Sequence, residues 1–244
     1  MSAVLVIAGT DSSGGAGLTR DVATLAQLGV EALCAVTAVT AQTDTAVLSV
    51  ERLPAAVVQA QVAAALAGGR VTAVKTGMLA TAGIVEAVAG SLPPGLPLIV
   101  DPVLAATSGG ELLDAAGCGA LSARLLPRAS LLTPNLAEAA RLLGTRLAAT
   151  EEEMIAQGHA LCARGAAAVL IKGGHAPLPL ATDWLITADG TRHCFSAPRS
   201  SALRRGTGCA LATAIAAGVA SGLDLIAACS RAKRHVTDLF QQPR

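Results

Sequence analysis

The segment Gly206-Thr207-Gly208-Cys209 places two glycines, a hydroxyl and a thiol directly before a run of strong helix formers. Glycines let the backbone turn its N–H groups toward one point, and a helix N-terminus favours negative charge. Such a nest suits the charge on a transferring phosphoryl group. A thiol there is expected to ionise more readily than a free cysteine, and its thiolate could deprotonate a substrate hydroxyl. Taken alone, the segment is better explained as a glycine-rich helix start with a buried cysteine than as a catalytic site.

Carboxylates and an amide follow two further predicted strands. Asp101 ends the strand at residues 98–101, while Asn135 and Glu138 open the helix after the strand at residues 131–133. A carboxylate at such a place can hold Mg²⁺ directly or through water. An N-cap asparagine with a glutamate in the first helical turn explains the Asn135–Glu138 pair equally well.

Two of the three lysines, Lys75 and Lys172, stand at predicted strand ends close to glycines. A lone lysine at a strand end is usually a solvated charge at the rim of the sheet. Two of them fall on the predicted active edge, which shifts the balance from solvated charges toward a functional role.

The elements that must position these residues alternate between strands and helices. The pattern predicts strands at residues 4–8, 33–39, 73–75, 98–101, 131–133 and 169–171, and a late antiparallel hairpin of strands 184–186 and 191–195. Helices are expected at residues 18–28, 54–66, 84–89, 115–126, 136–143 and 151–163, and from about residues 208 and 224. This alternation predicts an α/β fold with a mostly parallel sheet covered on both faces, formed by one domain over residues 1–244. Ligands of such sheets bind at the carboxyl ends of the strands.

Composition narrows the function classes. The 244 residues are 52% hydrophobic and 1% aromatic, with a net charge of +1, so neither base stacking nor a basic nucleic-acid surface is expected. No apolar run reaches the ~20 residues of a membrane span, and no signal peptide is recognisable, which predicts a cytoplasmic protein. The six cysteines form no CxxC pair or zinc pattern and are expected to be free thiols.

Standard nucleotide-binding loops are missing from the sequence. No G-x-x-x-x-G-K-[ST] motif occurs, which makes a P-loop enzyme improbable. The Gly14–Gly17 loop after the first strand has the wrong spacing for a dinucleotide fingerprint. A dehydrogenase therefore remains only a weak alternative.

Seven segments in order resemble the hydroxymethylpyrimidine/phosphomethylpyrimidine kinases of thiamine biosynthesis, within the ribokinase-like superfamily. They span nearly the whole chain, at residues 8–17, 40–42, 74–79, 100–103, 133–138, 172–175 and 206–209. Each motif is modest evidence, but seven in one order are strong evidence. The resemblance implies a ribokinase-like three-layer sandwich and an ATP- and Mg²⁺-dependent kinase that acts as a homodimer.

The resemblance also implies roles for individual residues. Cys209 matches the catalytic residue, within the nest formed with Gly206, Thr207 and Gly208. The positions that match the surroundings of the pyrimidine are Gly9, Asp21, Gln42, Met78 and Val103. The remaining matches are Lys172, Asn135 and Thr207 toward ATP, and Asp101 and Glu138 toward Mg²⁺. Family members phosphorylate the hydroxymethyl group and then the resulting monophosphate.

The chain departs from the family pattern at four positions. Arg205 replaces a common histidine, Arg20 replaces a small or neutral residue, and Thr43-Asp44 replaces Asn-Thr. Arg20 or Arg205 could favour a phosphorylated substrate, or both could be solvated surface residues. Pyridoxal kinase activity remains an alternative within the superfamily, and a non-catalytic ligand-binding protein is an alternative from another class.

Overall fold

The computed structural model describes residues 2–106, 110–174, 180–200 and 204–241. His175, which ends one of the seven motifs, lies outside these ranges.

An eight-stranded sheet forms the centre of the fold, in the order β10-β9-β8-β7-β6-β5-β1-β2. Strands β1, β2, β5, β6, β7 and β8 run parallel, and the β9–β10 hairpin continues the sheet antiparallel to β8. The strands are β1 Ala3–Ala8, β2 Glu31–Val36, β5 Val71–Thr76, β6 Leu98–Val100, β7 Leu131–Leu132, β8 Ala168–Lys172, β9 Leu180–Thr187 and β10 Arg192–Pro198. The predicted parallel sheet and late hairpin are confirmed.

Helices cover both faces of this sheet. They are α1 Gly17–Gln27, α2 Ala55–Ala67, α3 Ala82–Ser91, α4 Ala115–Ala120, α5 Leu136–Leu143, α6 Glu151–Ala163, α7 Thr207–Ala220 and α8 Leu225–Leu239. Alternate residues of a strand point to opposite faces, and β1 accordingly divides its side chains between two cores. Leu5 and Ile7 pack in the first core, whereas Val4 and Val6 pack in the second, with α7. The three-layer α/β sandwich is thus confirmed.

The predicted strand at residues 33–39 is in fact two strands of different sheets. The chain leaves the main sheet at Thr37, and β3 (Ala38–Gln42) then pairs with β4 (Val47–Arg52) in a separate antiparallel hairpin. Thr37 is fully buried, and its hydroxyl donates to the Met78 carbonyl at 2.6 Å, which fixes the point of departure. The strand β4 was not predicted, because most of its residues are exposed or only half-buried.

The predicted helix at residues 115–126 is regular only to Ala120. It continues as a π-helical turn over Leu121–Leu125 and a 3₁₀ turn over Leu126–Arg128, where Pro127 cannot donate a backbone hydrogen bond. Within the described ranges, no helix combines the length and apolar composition of a transmembrane segment.

Candidate active site

A cavity of about 650 Å³ lies at the carboxyl edge of the parallel strands. Gly9 follows β1, Gly77 follows β5, Asp101 follows β6, and Lys172 ends β8, and all four line it. The N-terminus of α7, residues 206–209, completes the centre of the cavity. Segments that are distant in sequence converge at this edge. The prediction that a ligand binds at the carboxyl ends of the strands therefore indicated the correct edge of the sheet.

One end of the cavity contains the predicted pyrimidine neighbours Gly9, Gln42, Met78 and Val103. Gln42 ends β3, so the separate hairpin carries it to the site. Gly17 allows a close approach beside Gly9, because a Cβ there would lie 2.5 Å from the Gly9 carbonyl oxygen and its φ is +57°. The structure thus brings four of the five predicted substrate residues together.

Asp21 is the exception, because it is fully buried and does not line the cavity. Its carboxylate accepts hydrogen bonds from Lys75 Nζ and Thr213 Oγ1, each at 2.7 Å. Lys75 is equally buried, and although burial disfavours its charge, Asp21 raises the pKa of this ammonium above its ordinary value. Asp21 thus reaches the cavity only through Lys75, which lines it, and a direct place for Asp21 beside the pyrimidine stays a prediction.

The turn before α7 has the backbone geometry expected of an anion-binding nest. Gly206 caps the helix with φ of +71°, and a Cβ there would lie 2.3 Å from the Gly15 carbonyl oxygen, so only glycine fits. The N-cap residue Gly206 has no side chain with which to cap the first-turn N–H groups of α7. These N–H groups suit an anion, and Lys172 Nζ is close enough that a Cβ on Gly208 would lie 3.2 Å from it.

The thiol of Cys209 lies at this helix start, but its ionisation differs from the prediction. Burial raises the pKa of Cys209 to about 11, and the opposing effect of Lys75 is too small to offset it. The prediction of an easily ionised thiol was wrong, because loss of hydration is the largest effect on the pKa of this thiol. Cys209 is therefore a neutral thiol near pH 7 in the free protein.

Lys172 joins two carboxylates at the middle of the cavity. Its Nζ lies 2.9 Å from Asp101 Oδ1 and 3.8 Å from Glu138 Oε2. Although burial alone would raise the pKa of Asp101, Lys172 and Lys75 hold it below its ordinary value. Burial raises the pKa of Glu138 to about 7, despite the opposing effect of Lys172. Asp101 is thus ionised near neutral pH, whereas Glu138 exchanges its proton in that range.

Asn135 and Glu138 form a capping box at the start of α5. The Asn135 side chain accepts from the Glu138 N–H at 2.9 Å, and Glu138 Oε2 accepts from the Asn135 N–H at 2.7 Å. Both residues nevertheless line the cavity, so the structural and the ligand-binding interpretations of this motif are compatible.

The oxygen donors suit a partial Mg²⁺ site. In the described part of the chain, no group of three or more His, Cys, Asp or Glu side chains could enclose a metal ion. Mg²⁺ typically uses one or two carboxylates together with substrate phosphates and water. Asp101 and Glu138, which share the contact with Lys172, fit that kind of site.

The opposite end of the cavity was missed by the sequence reasoning. Asp183 of β9 and Lys233 of α8 line it, and their side chains pair at 2.7 Å. Asp183 also accepts a hydrogen bond from the Gly173 N–H at 3.0 Å, which anchors the turn after Lys172. The sequence contained one indication of this end of the cavity: the chain has only three lysines, and Lys233 is the third.

The two unusual arginines occupy different places. Arg205 lines the cavity and is only 17% exposed, so it is not a solvated surface residue. Arg20 does not line the cavity, and its Nε donates to the Gly15 carbonyl at 3.5 Å.

Comparison with known proteins gives consistent results. A family model described as phosphomethylpyrimidine kinase matches residues 11–243. The hydroxymethylpyrimidine/phosphomethylpyrimidine kinase of Salmonella typhimurium is 46% identical over 216 residues, covering 87% of this chain and 81% of the relative. Two solved structures are similar as well. The ADP complex of Bacillus subtilis pyridoxal kinase has a TM-score of 0.89 at 32% identity, covering 97% of this chain and 91% of that one. Phosphomethylpyrimidine kinase from Clostridium difficile 630 has a TM-score of 0.85 at 30% identity, covering 98% and 99%.

Proposed function

Because the chain belongs to the phosphomethylpyrimidine kinase family, we propose that it transfers the γ-phosphoryl group of ATP to 4-amino-5-hydroxymethyl-2-methylpyrimidine and then to its monophosphate, in thiamine biosynthesis. The observation that carries this proposal is the single cavity that joins the Gln42 end, the α7 nest and the Asp183–Lys233 end. A small acceptor and a nucleotide can meet there at the nest. That residues 1–244 form one domain remains a prediction.

The acceptor binds at the Gln42 end in this proposal. A glutamine amide offers both a donor and an acceptor, so Gln42 can pair with the edge of an aminopyrimidine. Met78 and Val103 supply apolar contacts for the ring, and Gly9 lets the ring approach the backbone. These contacts direct the hydroxymethyl group toward Cys209.

The nucleotide phosphates lie between Lys172 and the nest. Lys172 and the N–H groups at residues 206–208 stabilise negative charge on the transferring group, and Thr207 contributes its hydroxyl and N–H. Cys209, being neutral in the free protein, holds the acceptor hydroxyl in line. It takes the hydroxyl proton only in a complex in which its thiol has ionised.

Asp101 and Glu138 would hold Mg²⁺ beside the phosphates, next to Asn135 on the ATP side. When bound there, Mg²⁺ would neutralise phosphate charge and orient the phosphate oxygens. Asn135 contributes through the geometry of the capping box, since its side-chain oxygen already accepts from Glu138.

A coupled ADP-release assay across three acceptors tests the activity. We expect turnover with the hydroxymethylpyrimidine and with its monophosphate, and a lower kcat/KM with pyridoxal. A large preference for pyridoxal would favour the alternative, which the likeness to pyridoxal kinases supports. Tight acceptor binding without turnover would support a non-catalytic binding protein. Light scattering after size-exclusion chromatography tests the proposed homodimer. The cytoplasmic location remains a prediction, which cell fractionation can test.

A further inference from the structure

Arg205 connects three segments at the acceptor end of the cavity. Its Nη2 lies 3.0 Å from Asp11 Oδ2, and its Nη1 donates to Ser13 Oγ at 2.8 Å and to the Thr43 carbonyl at 2.9 Å. Asp11 is only 3% exposed at its side chain, so this ion pair is poorly hydrated. Arg205 thus ties the start of α7 to the loop after β1 and to the tip of the β3–β4 hairpin.

The hairpin contact bears directly on Gln42. Thr43 follows Gln42 in the chain, and the Ser12 hydroxyl donates to the Gln42 carbonyl at 2.9 Å and accepts from its N–H at 2.8 Å. Residues 11–13 and 42–43 therefore form one hydrogen-bonded group. Arg205 joins that group to the helix that begins two residues later and carries Cys209.

Three of the five N–H donors of the guanidinium serve protein acceptors. Both Nη1 hydrogens serve Ser13 and Thr43, and Nη2 serves Asp11. A substrate phosphate that approached this guanidinium would meet the Asp11 carboxylate, which already lies 3.0 Å from Nη2. The Asp44 carboxylate lies 3.5 Å from Nη1 but is 84% exposed, so it contributes little to holding the guanidinium in place.

We propose that Arg205 is a positioning residue that fixes the hairpin bearing Gln42 relative to the helix bearing Cys209. It thereby sets the distance from the pyrimidine edge to the site of transfer. The inference rests on the roles proposed above for Gln42 and Cys209. Its consequence is that Arg205 serves both acceptors equally, instead of selecting the phosphorylated one.

The test compares Arg205→Gln and Arg205→Lys with the wild-type protein. Lysine keeps the charge beside Asp11, but its single ammonium cannot reproduce the planar contacts to Ser13 and Thr43. We expect both variants to lose about 100-fold in kcat/KM, to the same extent with the hydroxymethylpyrimidine and its monophosphate, since misplacement of about 1 Å can have that effect. The KM for ATP should change less than threefold. Asp44→Asn, which removes only the exposed partner, and Arg70→Gln, distant from the cavity, are the matched controls.

Hydrogen exchange gives a readout that does not depend on activity. Amides of the β3–β4 hairpin should lose protection in both Arg205 variants, while those of β1 keep it. A loss confined to the monophosphate, rescued by lysine, would overturn the proposal in favour of phosphate binding. Unchanged hairpin protection in folded variants would overturn it as well. Should Gln42→Ala and Cys209→Ala retain full activity, the proposed site roles would fail, yet hairpin exchange would still decide whether Arg205 fixes the hairpin.

Discussion

The ammonium of Lys75 lies 2.7 Å from the carboxylate of Asp21, and both side chains are completely buried at the wall of the cavity, which Lys75 lines. Thr213 of α7 donates a further hydrogen bond to Asp21, so the pair connects β5, α1 and the helix that carries Cys209. Charges taken out of water in this way depend on each other, because a single unpaired charge in the interior is strongly unfavourable.

Lys75→Met should therefore destabilise the protein by about 3–5 kcal/mol, measured by urea unfolding. The double variant Lys75→Met/Asp21→Leu should recover part of that loss, because it leaves no unpaired charge. Arg70→Gln is the control, since its pair with Glu31 is exposed and should contribute less than about 1 kcal/mol. Equal losses in Lys75→Met and Arg70→Gln would show that burial does not make the pair important.

Cys209 tests the proposed transfer centre. Cys209→Ala should lower kcat by about 10²–10⁴-fold with little change in unfolding free energy, if the thiol orients the hydroxyl and receives its proton. Full activity of the alanine variant would remove Cys209 from the mechanism.

The ionisation of Cys209 gives a separate test in the free protein. Because burial raises its pKa to about 11, alkylation by iodoacetamide should be slow at pH 7 and should accelerate as pH approaches 11. Peptide mass spectrometry distinguishes Cys209 from the exposed Cys34 and Cys194. Rapid labelling of Cys209 at pH 7 would contradict a half-buried, neutral thiol.

Features that depend on local sequence could be predicted. Most strands of the main sheet, the turn chemistry around Gly206 and the polar residues at strand ends follow from patterns within a few residues. The parallel topology then brings Asp101, Asn135 and Lys172 to one edge without further information.

Features that depend on burial could not be predicted. Nothing near Asp21 in the sequence indicates Lys75 as its partner, 54 residues away. The pKa of Cys209 depends on the packing of several distant segments. The chain leaves the main sheet at Thr37, where the hydroxyl donates a hydrogen bond to the carbonyl of Met78, 41 residues later.

Glu138 should make stability depend on pH. Its pKa rises from an ordinary 4.5 to about 7 on folding, so the folded protein binds more protons than the unfolded chain between these values. Stability should therefore fall as pH increases from about 4.5 to 7, by up to about 3 kcal/mol from this group. Glu138→Gln preserves the capping box and should flatten the dependence in urea unfolding at several pH values. An unchanged slope in Glu138→Gln would assign the effect to other groups.

Lys172 should be needed for phosphoryl transfer more than for acceptor binding. Lys172→Met removes the cation that faces the nest and leaves Asp101 beside Glu138 without a shared partner, so kcat should fall by about 10²–10³-fold. The acceptor KM should change little, because Gln42, Met78 and Val103 are untouched. Lys233→Met is the matched control at the other end of the cavity, where loss of the Asp183 contact should raise the KM for ATP more than it lowers kcat. Steady-state kinetics with each substrate varied at saturating partner separate these effects. An Lys172→Met enzyme with wild-type kcat would remove this lysine from the transfer step and leave the helix N-terminus as the charge-stabilising group.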